Sequence, residues 1–428
     1  MAGAFVPRPF LTYKEALAWL YSLQRFGIKL GLKNIERLLD ELCCCVCVKR
    51  PAPAATSGSI PKVIHVAGTN GKGSVCAMID SICREQGYRT GLFISPHLVT
   101  FRERIRVNGE MISEDAVANG LTTIRNLVAR WDPHPTFFEV ATALALKHFA
   151  DTGVEIVVLE TGLGGRLDAT NSIEPDVAVI TQIDFDHEKW LGKTIAEIAS
   201  EKAGIIRPGI PVVSAAQLSE AEEVIGAQAA KCDAPVQFVT KPYDESSVAL
   251  AGSYQKGNAA LAVAALRAAK IDIDGSAVVH GLACIEWPAR FQRWDARTII
   301  DGAHNPAAAR MLVETWRENF GTQRATLILA ILSDKNLNGI CEALAPISEF
   351  VLLPKIRSER AADPRILALA FSKISPSLPC SITPSIASAL ETARARSNPI
   401  LITGSLHFAG EVLAHLRGEP AAFEECAQ

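Results

Sequence analysis

Aromatic side chains make up only 6% of the 428 residues, and neither sign of charge dominates. Forty-three basic residues against 46 acidic ones leave a formal net charge of −3. That balance gives no electrostatic reason to expect nucleic acid or an anionic membrane as the main partner. Long apolar runs are also lacking. The longest, such as Ala325 to Leu332, is strand-sized and far too short to cross a bilayer. The first residues show no basic segment followed by a long apolar stretch, so a secretory signal is not expected and the cytoplasm is the default compartment. What is present is 49% hydrophobic residue, rich in Ala and Leu. This content excludes general disorder and suits an α/β enzyme of two or three domains. Eleven cysteines are scattered through a large chain without a signal, which argues for reduced thiols rather than a disulfide framework.

Along the chain, the first 40 residues read as helical, with Thr12 as a cap before Tyr13 to Leu23. Cys43, Cys44, Cys45 and Cys47 then precede a Pro/Ala/Ser/Gly stretch to Pro61. Adjacent cysteines rarely converge on one ion, so the expectation is a helix end entering an inserted loop, peripheral to any chemistry. From Val63 short apolar runs alternate with helix-length segments: Val63 to Ala67, Thr90 to Ser95, Ile156 to Glu160, Val177 to Thr181 and Pro211 to Ala215. Continuous apolar strands separated by helices predict a mostly parallel sheet covered on both faces. The alternation resumes with Thr298 to Ile300, Ala325 to Leu332, Phe350 to Leu353 and Ile400 to Thr403. Two α/β domains are therefore expected, 1–288 and 289–428, with a hinge at Trp287-Pro288-Ala289-Arg290.

The sharpest local signal is Gly68-Thr69-Asn70-Gly71-Lys72-Gly73-Ser74, between a predicted strand and a predicted helix. Such a loop presents backbone N–H groups to phosphate oxygens at a helix N-terminus. Lys72 would neutralise phosphate charge and Ser74 could ligate Mg2+. The spacing is not the standard GxxxxGK[ST], and an ordinary Gly-rich turn is the alternative. Glu160 ends a strand where the ligand crevice of an open α/β sheet lies, well placed for a hard cation, or else for solvent. Asp184-Phe185-Asp186-His187 is a second polar strand end, where His187 could ligate a metal or hydrogen-bond within the loop. Taken alone, Lys202 near a helix end reads as a partner of the helix dipole. Asp301 and His304 follow a later strand, and Asn305-Pro306 reads as a helix cap and first turn.

With these motifs in order, the chain resembles the folylpolyglutamate synthase and dihydrofolate synthase family of the Mur ligase superfamily. The resemblance runs from about Gly31 to His407. It rests on HVAGTNGKGS (65–74), SPHLVTFRERIRVNG (95–109), TFFEVATALAL (136–146), ETGLGGRLDATN (160–171), DFDHEKWLG (184–192), EKAGIIRPG (201–209), DGAHNP (301–306) and TGSLHF (403–408). It implies a P-loop mononucleotide-binding domain of the Mur ligase central type, followed by a smaller Rossmann-like α/β domain that completes the glutamate ligase. By the same resemblance, Gly68, Thr69, Asn70, Gly71, Lys72, Gly73 and Ser74, with Asn258, Arg290 and Asp301, would contact ATP. Ser74, Glu160, His187 and a carbamylated Lys202 would hold Mg2+. Lys72, Lys202 and His304 are implicated in catalysis. Ser95, Pro96, His97, Arg104 and Phe138 would lie at the folate. The implied reaction joins L-glutamate to a folate, or to dihydropteroate, through an acyl phosphate, in a monomer with an accessory K+ that no residue here locates. Closure of the two domains is expected near residues 287–296. Rival readings are a cell-wall Mur ligase, a P-loop hydrolase or switch, and a binding-only relic; the retained site residues and the folate-type strings disfavour all three.

Overall fold

The computed structural model describes residues 10–27, 29, 31–42, 60–420 and 423–424. The cysteine cluster Cys43–Cys47 lies outside these, as does the chain from there to residue 59.

Eleven of the fourteen strands in the described residues are parallel to a neighbour, and the fourteen form two sheets. The first sheet contains β1 (Lys62–Ala67), β2 (Thr90–Phe93), β3 (Ile105–Val107), β4 (Glu110–Met111), β5 (Ile156–Glu160), β6 (Val177–Ile180), β7 (Val212–Ala215) and β8 (Val236–Val239), in the order β4-β3-β2-β5-β1-β6-β7-β8. The second contains β9 (Gln292–Arg293), β10 (Thr298–Ile300), β11 (Ala325–Leu329), β12 (Ser348–Pro354), β13 (Cys380–Thr383) and β14 (Ile400–Thr403), in the order β13-β12-β11-β14-β10-β9. Every expected strand is present within a few residues of its reading. The additional ones, β3, β4, β8, β9 and β13, sit at or next to sheet edges, where half-exposed positions break up the apolar run that marks a central strand.

Register explains why the motifs meet. Strand β1 lies between β5 and β6, with Val66 opposite Glu160 and Ala67 opposite Ile180. The loop after β1 therefore emerges between Glu160 and the segment that leads to His187. In the second sheet β10 and β11 flank β14, with Ile300 opposite Ile402 and Leu329 opposite Thr403. Asp301, Ser405 and the chain from Ala330 to Lys335 thus gather at one end.

Thr12 caps the Tyr13–Ser22 helix through a capping box with Glu15, as expected. The Lys72–Glu85 helix turns Val75, Ile79 and Ile82 into the core below the sheet, and the chain reverses at Gly87, with φ +96. The Gly275–Ala283 helix crosses it at very close range. A Cβ on Gly281 would lie 2.6 Å from Ile82 Cα, and Ser81 Oγ donates to the Gly281 carbonyl at 2.8 Å. Alanine has the better helix propensity, by about 1 kcal/mol, but here its methyl meets backbone that cannot rotate away. Gly281→Ala should cost about 1–3 kcal/mol through forced separation of the helices. A lower urea midpoint at unchanged m-value would show it; an unchanged midpoint would contradict it.

The crossing between the sheets is short. Trp287 packs on the first unit, its Nε1 only 3.2 Å from where a Cβ on Gly73 would stand. Ala289 and Phe291 already belong to the second. Both hold positive φ (57 and 45), and they are pinned by Gly302 N donating to Ala289 O (2.9 Å) and Phe291 N to Asp301 Oδ2 (2.7 Å). Residues 289–293 are thus fastened to the second sheet, and the change of allegiance is concentrated at Pro288.

Candidate functional site

The loop 68–74 is built for close approach. Gly68 has φ +146, and a Cβ there would fall 1.8 Å from Thr181 Oγ1, so only glycine lets β1 turn beside β6. Gly71, at φ +91, opens the Lys72–Glu85 helix, whose first N–H groups face the cleft. Lys72 Nζ donates to Gly68 O and Thr69 O at 3.2 and 3.4 Å. The Tyr254–Ala268 helix lies over the loop. Gln255, fully buried, donates to Ser74 Oγ at 3.4 Å and accepts from Asn258 Nδ2 at 2.9 Å. Asn258 Oδ1 is so close that a Cβ on Gly71 would come within 2.7 Å of it.

A cleft of about 190 Å³ runs from this loop to the second sheet. Glu160, Ser95, Pro96, His97, His187 and Lys202 wall it on one side, and Arg290, Asp301 and His304 on the other. Glu160 is buried and accepts from Ser95 N at 3.0 Å. Burial pushes its carboxyl up, partly offset by the charge of Lys72. A buried carboxylate in that state is a good ligand for a hard cation. The His187 ring is depressed to about 3, chiefly by burial, so it is a neutral imidazole with a lone pair to give. Ser74, Glu160 and His187 therefore suit a divalent ion in donor chemistry, although among the described residues no three His, Cys, Asp or Glu side chains form a ready-made cluster. Lys202 does not reach toward solvent at its helix end. It is buried and donates to Gly68 O at 2.7 Å, 134 residues away in the chain. Burial, then repulsion from Lys72, lowers its amine to about 7.

The ETGLGGRLDATN stretch owes its shape to one carboxylate. Asp168 Oδ2 accepts from Gly162 N (2.9 Å) and Leu163 N (2.8 Å), while Oδ1 accepts from Thr170 N and Oγ1. His65, buried in β1, is bonded through Nε2 to Thr170 Oγ1 at 2.8 Å. The loop so held borders a second, larger cavity of about 610 Å³, lined by Phe138, Phe185, Trp190 and Glu139 among others. The two cavities share Gly162, Leu163, Asp186, His187, Lys335 and Arg360.

The expected residues are not all alike in position. Phe138 faces the larger cavity, whereas Ser95, Pro96 and His97 line the cleft. Arg104 lines neither. It is fully buried behind the cleft, donating from Nε to His97 Nδ1 at 2.9 Å with its guanidinium 5.3 Å from the Phe137 ring centre. Both Asp301 oxygens accept backbone N–H groups, from Phe291 and Ala303, and its carboxyl is raised by burial. Arg290 donates from Nη1 to its neighbour's carbonyl, Ala289 O, at 3.0 Å.

Asp186 and Lys335 carry no role in the sequence reading, yet they join the two halves of the site. Lys335 Nζ lies 2.5 Å from Asp186 Oδ1, Asn305 Nδ2 donates to Oδ2 at 3.2 Å, and His304 Nε2 stands 3.4 Å from it. Burial raises the Asp186 carboxyl, but His304 and then Lys335 outweigh it and hold it far below the usual carboxylate range. Asn305 also caps the Pro306–Phe320 helix at Ala308 N, the role expected of it. Lys335 follows β11 in Leu332-Ser333-Asp334-Lys335-Asn336, a polar strand end of the same kind as the others.

Comparison with known proteins agrees with this arrangement. Residues 66–209 match the Mur ligase middle domain and residues 289–406 the Mur ligase glutamate ligase domain. The dihydrofolate synthase/folylpolyglutamate synthase of Bacillus subtilis (strain 168) is 34% identical over 442 residues, covering 95% of this chain and 100% of its own. A Mycobacterium tuberculosis folylpolyglutamate synthase structure, complexed with ADP and AMPPCP, superposes with a TM-score of 0.85 at 32% identity, covering 95% of this chain and 99% of that one. A bifunctional folylpolyglutamate synthase/dihydrofolate synthase with Mn, AMPPNP and L-glutamate bound gives a TM-score of 0.82 at 29% identity, covering 94% and 98%. A two-sheet α/β architecture, a glycine-rich loop facing the second sheet and end-to-end likeness to these proteins place the chain in the dihydrofolate synthase/folylpolyglutamate synthase family of Mur ligases.

Proposed function

We propose that this chain is an ATP-dependent ligase that joins L-glutamate to a folate, with dihydropteroate as the acceptor to be tested beside it. The observation that carries the reading is the meeting of two cavities. The cleft above loop 68–74 has the features of a nucleotide site. The larger, partly aromatic cavity opens onto it at Gly162, Asp186, His187, Lys335 and Arg360. A flat heteroaromatic acid held against Phe138 could thus present its carboxylate where a nucleotide presents its terminal phosphate.

The chemistry follows from the poor leaving ability of oxide. The acceptor carboxylate attacks the γ-phosphorus and ADP departs, leaving an acyl phosphate. The glutamate α-amine then attacks the acyl carbon, loses its proton and expels phosphate. Lys72 and the N-terminus of the Lys72–Glu85 helix offset the charge that migrates during the first step. Mg2+, held by Ser74, Glu160 and His187 with a carbamylated Lys202 in support, would supply further charge neutralisation at the phosphates. Asn258, packed on Gly71, and Arg290, beside Gly302, suit the nucleotide, with Asp301 holding the linker that carries Arg290. His304 lines the cleft beside Asp186, which both cavities share, and we assign it to the glutamate step. The functional limits we assign are 1–288 for the ATP-binding domain and 289–428 for the glutamate-ligase domain. Closure across the cleft would protect the acyl phosphate from water. On family grounds we also assign a monomer in the cytoplasm with an accessory K+; no helix of the described residues is long and apolar enough to cross a membrane.

The test is ADP release with ATP, Mg2+ and L-glutamate, offering dihydropteroate and tetrahydrofolate separately and weighing the product. A one-glutamate mass gain on both acceptors means a bifunctional enzyme, and gain on one fixes the step. ADP release that ignores acceptor and glutamate would refute the ligase reading in favour of a hydrolase.

A further inference from the structure

Beyond the last helix of the described residues, Leu406–Leu416, two adjacent residues, Phe423 and Glu424, are tied to different halves of the molecule. Phe423 is buried in the second unit's core with Phe408, Val412 and Leu413, and sets its ring edge-on to His407 at 5.0 Å. Glu424, the next residue, is held by the first unit. Its Oε2 accepts from Phe101 N at 2.6 Å and Thr100 Oγ1 at 3.2 Å, and its Oε1 from Tyr13 OH at 3.1 Å. Its backbone N–H donates to Val99 O at 2.8 Å.

These partners all stabilise the loop that carries Ser95, Pro96 and His97 into the cleft. Arg104 Nε donates to His97 Nδ1, which fixes the proton of this neutral ring on Nε2, and Nε2–H then donates to Glu424 O at 3.1 Å. Glu103 accepts from Leu98 N, Val99 N and Thr100 N at 2.9–3.0 Å, so the loop is a single tight unit. At its front, Ser95 N reaches Glu160. At its back, a Cβ on Gly410 would lie 1.8 Å from Leu98 O, so the Leu406–Leu416 helix touches the loop's backbone directly.

We propose that Glu424 is a positioning residue for the reaction: seated beside Phe423, it straps the 95–104 loop to the second unit and so sets the wall of the cleft that holds Glu160. One wall of the nucleotide cleft is thereby governed from the half of the molecule that does not carry the phosphate loop. The strap itself stands on geometry alone; only its kinetic consequence rests on the ligase reading.

The full-length Glu424→Ala and Glu424→Gln variants test it by two separable measurements. In hydrogen exchange of the free protein, Glu424→Ala should lose protection in peptides covering 95–104 while those covering β10 to β14 keep theirs. In steady-state assays the KM for ATP should rise on the order of tenfold with kcat within about twofold, because three hydrogen bonds to one carboxylate are lost at a distance from the reacting atoms. Glu424→Gln keeps an acceptor for Phe101 N and should fall between. Unchanged exchange in 95–104 would overturn the proposal, as would a protection loss spread evenly over both sheets with KM unaltered. Should no acceptor support ligation at all, the ligase reading fails, while the exchange result still decides the strap.

Discussion

Lys72→Ala is expected to lose on the order of a thousandfold or more in kcat while the protein stays folded. The ammonium lies on the loop's own carbonyls, 3.2 Å from Gly68 O and 3.4 Å from Thr69 O; its loss leaves Lys202 still donating to Gly68 O, and takes from the buried Glu160 only part of the charge that offsets its burial. What disappears is the one positively charged side chain of the loop, at the point where, on the proposed reading, negative charge would move from acceptor to leaving group. Backbone N–H groups at the start of the Lys72–Glu85 helix would still hold a nucleotide, so ADP binding should weaken far less than turnover. Rapid-quench measurement of acyl phosphate or ADP formation reads the effect on the chemical step; a kcat near that of the parent chain would refute the role.

Lys202→Ala should be slowed nearly as much, for a different reason. An ordinary lysine amine is protonated at neutral pH and cannot attack carbon dioxide. Burial and the nearby Lys72 bring this one to about 7, so at pH 8 most of it is the free amine. Its nitrogen can then form a bond to CO2 and release one proton, turning the neutral amine into a carbamate anion beside Gly68 and near His187. The sign with pH follows: below about pH 7 the amine is protonated and carbamate formation slows, above it the free amine accumulates. Enzyme stripped of CO2 at low pH should regain activity on CO2 addition faster at pH 8 than at pH 6. A carbamate signal in 13C NMR after 13CO2 addition should be present in the parent chain and absent in Lys202→Ala, whose activity small carboxylates should restore in part. Full activity of Lys202→Ala without any rescue agent would sink the mechanism.

The central strands and the chemistry at their ends were legible in the sequence because both are local. A buried parallel strand must be apolar throughout, so Val63 to Ala67 and Ile156 to Glu160 announce themselves, and the polar residues that follow are conspicuous. Edge strands such as β8 and β13 were not legible, since a half-exposed strand can be polar where it likes. Residues that act across long chain separations were hidden as well. Lys202 looked, by itself, like a helix-end lysine; nothing nearby shows that its helix aims it at Gly68. The Asp186–Lys335 pair joins positions 149 apart, and neither residue signals the other. Glu424 belongs to no motif, and its partners lie more than 320 positions away. The resemblance to a known family supplied roles that local chemistry left open, but it offered nothing about these contacts.

The direction of β1 has a practical consequence. The chain enters this strand at Lys62, separated by two residues from the stretch 43–59, and leaves it at Ala67 into the loop 68–74. Six residues of strand separate those ends by roughly 17 Å. Parallel neighbours β5 and β6 also deliver Glu160 and His187 at the far end, so every residue assigned to chemistry on this sheet sits at the exit and none at the entrance. The junction before Lys62 is therefore the place to graft an affinity tag, a fluorophore or a foreign peptide, and lineages could lengthen or shorten the chain there without retuning the reaction.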